Sequence, residues 1–328
     1  MINLLHCYAN TEVLVHSSKL QRILSKMNTI YFMGECMVEL RAMSAATLHQ
    51  SFAGDVYNSA VYLKRCFPEV STSVITALGQ DNLSKKMRER FESEQLDTQY
   101  VFSHESKVPG MYYIETDEHG ERSFTYWRSD SAAKKTVEFL NAECVDQLCQ
   151  GDMFFFSGIS LAIIDKTSRD QFWKVLEQLK SAGVKIVFDP NYRARLWDSV
   201  EDTKAQYHLA FSLADITLPG VEDLTTLYDV HSVEAVIEYL KPYQIDEIVV
   251  KNGPESVITQ QNNTLQTHTI IPVKTVVDTT SAGDAFNGVY LGARLSGKSI
   301  AAAVQLGAKA AGAVIQPPGV HCTKRCFP

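Results

Sequence analysis

Ser281, Ala282 and Gly283, followed at once by Asp284, stand where chemistry is possible. Upstream, Thr269 to Val277 is β-branched and apolar, a pattern for extended chain. Downstream, Ala285, Phe286, Val289, Leu291 and Ala293 give a helical apolar face that runs up to Gly297. The small residues therefore fall in the first turn of a helix, whose free N–H groups attract anions and whose short side chains let a phosphate come close. A carboxylate in that turn would repel the phosphate. The conflict resolves if Asp284 is a base beside the phosphate, taking a proton from an attacking hydroxyl. Equally, a first-turn acid can simply complement the helix dipole. The ten residues from Val277 to Phe286 leave the two readings evenly matched.

The elements that would position this turn alternate between strand and helix. Strands are expected at 30–33, 73–78, 153–156, 184–188, 216–218 and 247–250, with helices at 56–65, 82–94, 168–180, 199–212, 282–296 and 299–314 and two more filling 221–241. A hairpin is expected between 256–259 and 265–271. Two further pairs of extended segments break the alternation: Met37–Arg41 with Thr47–Phe52, and Met111–Thr116 with Arg122–Arg128 across Asp117-Glu118-His119-Gly120. Together they read as a small separate sheet. Each parallel strand is followed by polar or glycine residues: Gly34-Glu35, Gly79, Ser157-Gly158, Asp189-Pro190-Asn191-Tyr192-Arg193, Pro219-Gly220-Val221-Glu222 and Lys251-Asn252-Gly253. That edge of an open α/β sheet is where ligands bind.

Composition narrows the function. With 328 residues, 45% of them apolar, the chain can bury one large α/β domain with a small appendage. The balance of 31 Lys+Arg against 38 Asp+Glu argues against a general nucleic-acid binder, and no apolar run is long enough for a membrane helix. Seven cysteines without paired spacing suggest a reduced, cytoplasmic protein. His321, Cys322 and Cys326 are faintly metal-like, but such a cluster on a chain end rarely is a site. Residues 1–27 lack the features of a secretory signal. They are expected to be an extension outside the fold, ahead of a single domain at 28–328.

At this point the residues resemble a family. Asp278-Thr279-Thr280-Ser281-Ala282-Gly283-Asp284 is similar to the second signature of the ribokinase-like (pfkB) carbohydrate kinases, D-T-x-G-A-G-D. Ala53-Gly54-Asp55 with Asn58 is similar to the first glycine motif. Gly34-Glu35-Cys36-Met37, Pro109 to Thr116, Gly120 to Phe124, Tyr126-Trp127-Arg128, and Asp189 to Arg193 with Leu196-Trp197 resemble the sugar-acid branch of that family. The likeness runs in order from about residue 29 to 318.

The resemblance implies a three-layer αβα fold, with a central mostly parallel sheet and a small β-sheet lid inserted at about 36–53 and 109–128. It implies ATP and Mg²⁺, with K⁺ left open as a further ion. Asp284 would be the base for in-line attack on the γ-phosphate, and the N–H groups of Ser281, Ala282, Gly283 and Asp284 the anion hole. Glu222 would hold Mg²⁺ through water. Lys251, Asn252, Gly253 and Ser256 would meet the nucleotide, with Asn191 and Arg193 near its phosphates. Gly54, Asp55 and Asn58 would hold sugar hydroxyls. Tyr126 and Arg128, two apart on one strand, share a face that Tyr112 can reach, and a guanidinium with phenols suits a sugar carboxylate. Arg193 would join them. The resemblance implies 2-keto-3-deoxygluconate as substrate, phosphorylated to its 6-phosphate; the alternatives are its galactonate epimer, a neutral sugar such as fructose, or a sensing protein without catalysis. Trp127 alternates outward, which suggests a homo-oligomer through the lid.

Three positions depart from the family pattern. Ser281, Ala53 and Ser256 each replace a glycine, which matters wherever the backbone needs positive φ. Gly292-Ala293-Arg294-Leu295-Ser296-Gly297-Lys298-Ser299 also fits the P-loop pattern. A P-loop follows a strand and opens a helix, whereas here Gly297 is expected to end one helix and Ser299 to cap the next. Lys298→Ala is therefore expected to leave ATP turnover unchanged in an ADP-release assay, and loss of turnover would reinstate the P-loop.

Overall fold

Runs such as Ile30-Tyr31-Phe32-Met33 and Met153-Phe154-Phe155-Phe156, apolar without interruption, suit strands buried on both faces. They are such strands in the computed structural model, which describes residues 28–44, 46–116 and 122–316. The proposed extension at 1–27, the hairpin turn at 117–120 and the His321, Cys322 and Cys326 cluster lie outside the described residues.

Thirteen strands occur among the described residues: β1 (Thr29–Met33), β2 (Met37–Ser44), β3 (Thr47–Ala53), β4 (Ser71–Leu78), β5 (Val101–Ser103), β6 (Met111–Thr116), β7 (Arg122–Trp127), β8 (Met153–Ser157), β9 (Lys185–Asp189), β10 (Ile216–Thr217), β11 (Glu247–Asn252), β12 (Ser256–Gln261) and β13 (Thr264–Thr269). Nine form one sheet in the order β13-β12-β11-β10-β9-β8-β1-β4-β5. It is parallel from β5 to β11, and the β12–β13 hairpin continues it antiparallel. The other four strands make the separate sheet, in the order β3-β2-β6-β7.

Side-chain alternation divides the core into two layers. Ile30, Phe32, Met153, Phe155, Val187 and Val249 point to one side, where they meet the helices Asp55–Cys66, Asn82–Ser93, Ala282–Leu295 and Ile300–Val314. Tyr31, Met33, Phe154, Phe156, Ile186, Phe188, Ile248 and Val250 point to the other, toward Ala142–Leu148, Arg169–Ser181, Val200–Leu213, Val221–Tyr228 and Val233–Leu240. The result is a helix–sheet–helix sandwich. From β1 the order runs outward to β4 on one side and to β8 on the other. The crevice at such a reversal, beyond the carboxyl ends of the strands, is the place for a ligand.

Several short elements depart from the expected pattern. The edge strand β5, the helices Ala142–Leu148 and Gly158–Ile163, and the 3₁₀ segment Ala132–Phe139 are too short to establish a period. The segment Thr269–Val277 is not a strand feeding the helix of Asp284. The hairpin ends at Thr269, and Ile271, Val276 and Val277 are exposed on an irregular connection. Its β-branched residues matched the composition of a strand, but no sheet edge receives them.

The P-loop-like octapeptide is a helix end. Gly297 has φ +75°, and the Ser299 hydroxyl oxygen accepts from the Ala302 N–H (3.3 Å) at the start of Ile300–Val314. Arg294 reaches back to the buried Glu247 (2.8 Å), which also accepts from the Tyr290 hydroxyl (2.6 Å).

One crossing sets the geometry of the cleft. The helix that begins beside Asp284 packs on Asp55–Cys66 so closely that a Cβ on Gly288 would lie 2.0 Å from the backbone oxygen of Ser59. Backbone cannot give way as a flexible side chain does, so only glycine fits. Gly288 is one turn beyond Asp284, and Ser59 follows Asn58. Gly288→Ala should lower stability by about 3 kcal/mol and reduce turnover at temperatures where the variant stays folded, as read by denaturant unfolding and a coupled assay.

Candidate active site

The start of the helix Ala282–Leu295 is built by a turn that bonds to itself. Ser281 takes the left-handed conformation (φ +68°), where the family signature has glycine. The cost is on the order of 1 kcal/mol for a non-glycine residue. In that conformation its hydroxyl donates to Asp284 Oδ2 (2.9 Å), and Asn58 Nδ2 donates to the same oxygen (2.8 Å). Burial pushes the Asp284 carboxyl up to about 7; the neighbouring Asp55 charge adds to this, and the Asn58 and Ser281 hydrogen bonds oppose it. Gly283 is exposed beside it. The Ala282 N–H, expected in the anion hole, instead donates to the Thr279 carbonyl oxygen (3.2 Å). Ala53 has no positive φ, so its replacement of glycine carries no strain.

A second set of carboxylates lies beyond. Asp55 accepts from Asn191 Nδ2 (2.9 Å), so these two expected ligand-binding residues are bonded to each other. Asp189, buried at the end of β9, accepts from Asn287 Nδ2 (2.7 Å) and pairs with Lys251 Nζ (3.4 Å), which also reaches Asn287 (3.2 Å). Burial raises its carboxyl, and Asp55 raises it further against the opposing pull of Lys251. Asp223, one residue past Glu222, accepts from the N–H groups of Tyr192 (3.0 Å) and Gly220 (3.2 Å), with Arg193 Nη1 at 3.8 Å. Burial and the Asp189 charge push it up to about 6. Neither Asp189 nor Asp223 was singled out from the sequence. The available signal was an acid on the last residue of a buried parallel strand and one in the first turn of the helix Val221–Tyr228.

The small sheet supplies the opposite wall. Tyr112 and Tyr126 face each other across β6 and β7 with stacked rings (5.6 Å between centroids), and Arg195 lies 4.0 Å over the Tyr126 ring. The Tyr112 hydroxyl donates to Glu39, which also accepts from Ser51 Oγ (2.8 Å). Arg128 pairs with Glu35, and the pair is nearly shut off from solvent, with side chains 10% and 1% exposed. Glu35, Glu39 and Arg195 were missed as site residues; the glutamates follow β1 or sit within β2, where sequence alone does not tell a buried acid from an exposed one. Gly54 closes the circuit. A Cβ there would lie 2.1 Å from the Glu35 backbone oxygen. Contacts thus run unbroken from Arg128 through Glu35, Gly54 and Asn58 to Asp284.

Toward the other side of the turn, Glu222, Asn252 and Gly253 line an open cavity of about 360 Å³ with Thr225 and Glu255. Ser256 does not line it; it begins β12, opposite Asn252. Lys251 Nζ would lie 4.0 Å from a Cβ on Gly283, which brings this strand end up to the Asp284 turn. Among the described residues no three His, Cys, Asp or Glu side chains are grouped to hold a metal alone. Exposed Glu222 beside Asp223 fits a Mg²⁺ ion shared with phosphates and water, which needs only one or two carboxylates.

The site is thus a helix-start turn with a raised carboxyl between a two-tyrosine, one-arginine wall and a cavity at the strand ends. A model of the pfkB family carbohydrate kinases matches residues 27–324. The chain belongs to the pfkB family of carbohydrate kinases. It is 39% identical over 303 residues to the 2-dehydro-3-deoxygluconokinase of Haemophilus influenzae, covering 91% of this chain and 96% of that one. It is 27% identical over 267 residues to the fructokinase of Vibrio alginolyticus, covering 81% and 83%. The crystal structure of 2-dehydro-3-deoxygluconokinase from Thermotoga maritima superposes with a TM-score of 0.80 at 19% identity, over 90% of this chain and 95% of that chain. The ribokinase-like three-layer fold expected from the sequence is therefore the fold of this pfkB kinase, small sheet included.

Within the pfkB frame the linkage of Asp284 has a defined sign. In the native state its carboxyl titrates near 7, and in the unfolded chain near the ordinary value of about 4. Between those values the native state binds more protons, so raising the pH across that window lowers stability. Asp284→Asn should raise the melting temperature at pH 8 and lose that advantage as the pH falls toward 4, read by thermal unfolding across a pH series.

Proposed function

We propose that this pfkB kinase transfers the γ-phosphate of ATP to the 6-hydroxyl of 2-dehydro-3-deoxygluconate, that is, 2-keto-3-deoxygluconate. The observation that carries the reading is the placement of Asp284. Its half-buried carboxyl, pushed up to about 7, stands at a helix start and in continuous contact with a wall that carries Arg128 and two tyrosines. A base poised near the working pH takes a proton most effectively. Asp284 accepts the hydroxyl proton while the sugar oxygen forms its bond to phosphorus and the bond to ADP breaks. The N–H groups of Ser281, Gly283 and Asp284 stabilise charge on the transferring group. Bound Mg²⁺, held through water by Glu222, would supply charge neutralisation at the phosphates.

Asn58 holds Asp284 in place, Gly54 and Asp55 meet sugar hydroxyls, and Tyr112, Tyr126 and Arg128 hold the carboxylate end, with Arg193 between sugar and phosphates. Lys251, Asn252 and Gly253 border the nucleotide, with Asn191 near its phosphates; Ser256 acts only through the hairpin it begins. The higher identity to the sugar-acid kinase than to the fructokinase supports a sugar acid. One observation favours a neutral sugar instead: Arg128 is already balanced by Glu35. The exposed Trp127, Met43 and Leu48 on the small sheet support a homo-oligomer formed through it, and unpaired cysteines among the described residues support a cytoplasmic location.

A panel of sugar acids and neutral sugars with ATP and Mg²⁺, read by ADP release, should give the highest kcat/KM with 2-keto-3-deoxygluconate. A preference for fructose would favour the neutral-sugar reading, and no turnover with any sugar the sensing one. Asp284→Asn should lower kcat by about 10²–10⁴-fold while calorimetry still detects sugar-acid binding. In the unaltered enzyme kcat/KM should rise with pH and level off above about 7. An active Asp284→Asn variant would refute the mechanism.

A further inference from the structure

Arg122 stands on the small-sheet wall of the cleft and reaches across to the turn that leads into Asp284. It is the first residue of β7, four positions before Tyr126, so the two share a face, and Arg128 directly follows the strand. Its Nη1 donates to Asp278 Oδ1 (2.6 Å) and to Thr280 Oγ1 (3.1 Å). The same Asp278 oxygen accepts the Thr280 N–H (2.9 Å), the bond that shapes the turn leading into Ser281 and Asp284. The Asp278 side chain is 3% exposed and that of Arg122 29%, so solvent screens the pair only in part.

One segment, β7 with Arg128 directly after it, therefore carries sugar-facing groups at its C-terminal end and reaches the phosphoryl-facing turn from its N-terminal end. Displacing β7 from the cleft would pull the guanidinium from Asp278, and with it a charge-assisted bond that is stronger than a neutral one. The Asp278 oxygen would then hold the Thr280 N–H without the cation that fixes its orientation.

We propose that Arg122 is a positioning residue, a latch that sets the turn from Asp278 to Asp284 in its working geometry only while the small sheet lies against the body. Sugar in place and turn in place become one condition, which disfavours transfer of the phosphoryl group to water. The proposal rests on the kinase reading, and the experiment separates the two.

Arg122→Ala and Arg122→Lys would be compared with the unaltered chain by hydrogen exchange without ligands, and by measuring ADP and sugar phosphate in the same reaction. Arg122→Ala should speed exchange across 278–284 several-fold while leaving the buried β8 and β9 unchanged. Its kcat should fall about tenfold, and it should release ADP in excess of sugar phosphate, because water attacks the γ-phosphate to give ADP and phosphate. Arg122→Lys, which keeps the charge without the planar fork, should fall between the two. Unchanged exchange at 278–284, or a lower kcat with ADP and sugar phosphate still one to one, would overturn the latch. If the unaltered chain turns over no sugar, the kinase reading fails, and the exchange result alone decides whether Arg122 holds the turn.

Discussion

A half-buried carboxyl at the start of a helix is the constraint on which the cleft depends. Three influences meet at Asp284: burial favours its neutral form, the partial positive charge of the helix start favours the anion, and Asp55 opposes the anion again. Two hydrogen bonds hold the balance, and each has a structural precondition. The one from Asn58 exists because Gly288 lets two helices cross at backbone contact. The one from Ser281 exists because that residue accepts a left-handed backbone. Glycine at 281 would relieve the strain and lose the hydroxyl, so the departure from the family pattern exchanges backbone ease for a second donor to the carboxyl.

The small sheet follows the same logic with opposite charges. Arg128 and Tyr112 are each backed by a buried glutamate, Glu35 and Glu39. A guanidinium and a phenol held this way lose little freedom when a ligand arrives, which favours binding by pre-organisation. The consequence is that Arg128 offers directed N–H donors more than net charge. Discrimination between a sugar acid and a neutral sugar then depends on the geometry of those donors and on exposed cations nearby, such as Arg195 over the Tyr126 ring.

How much of this was legible follows from the range of each signal. Uninterrupted apolar runs such as Met153–Phe156, together with the polar or glycine residues after each strand, disclosed the parallel sheet and its ligand edge, because a strand buried on both faces is apolar at every position. The Asp284 turn was visible as a turn, but its ten residues could not separate a base from a dipole complement. That difference lies in Asn58 and Asp55, more than 220 residues away in the chain. Glu35 and Glu39 were opaque for a related reason: a glutamate at a strand end is written the same way whether it meets water or Arg128. Thr269–Val277 misled because its composition was that of a strand and the missing ingredient, a free sheet edge, is a property of the tertiary fold. Asp223 was overlooked for its neighbour Glu222, although one faces inward to two N–H groups and the other lies exposed.

The charge balance of the cleft gives the last step. Asp55, Asp189, Asp223 and Asp284 gather at the strand ends with Lys251 and Arg193, and burial has already raised three of the four carboxyls. A polyanionic nucleotide entering such a cleft would meet repulsion if those acids were fully charged and uncompensated. In the kinase reading, Lys251 and the N–H groups of the Asp284 turn face that charge, and a divalent cation beside Glu222 completes the compensation. The raised carboxyls and the nucleotide charge then act on one another. Phosphates near Asp284 would raise its proton affinity further as the hydroxyl comes within reach, so the base is at its strongest when its substrate is in place. The acids that look ill-suited to a phosphate site therefore add to burial in raising the proton affinity of the Asp284 carboxyl.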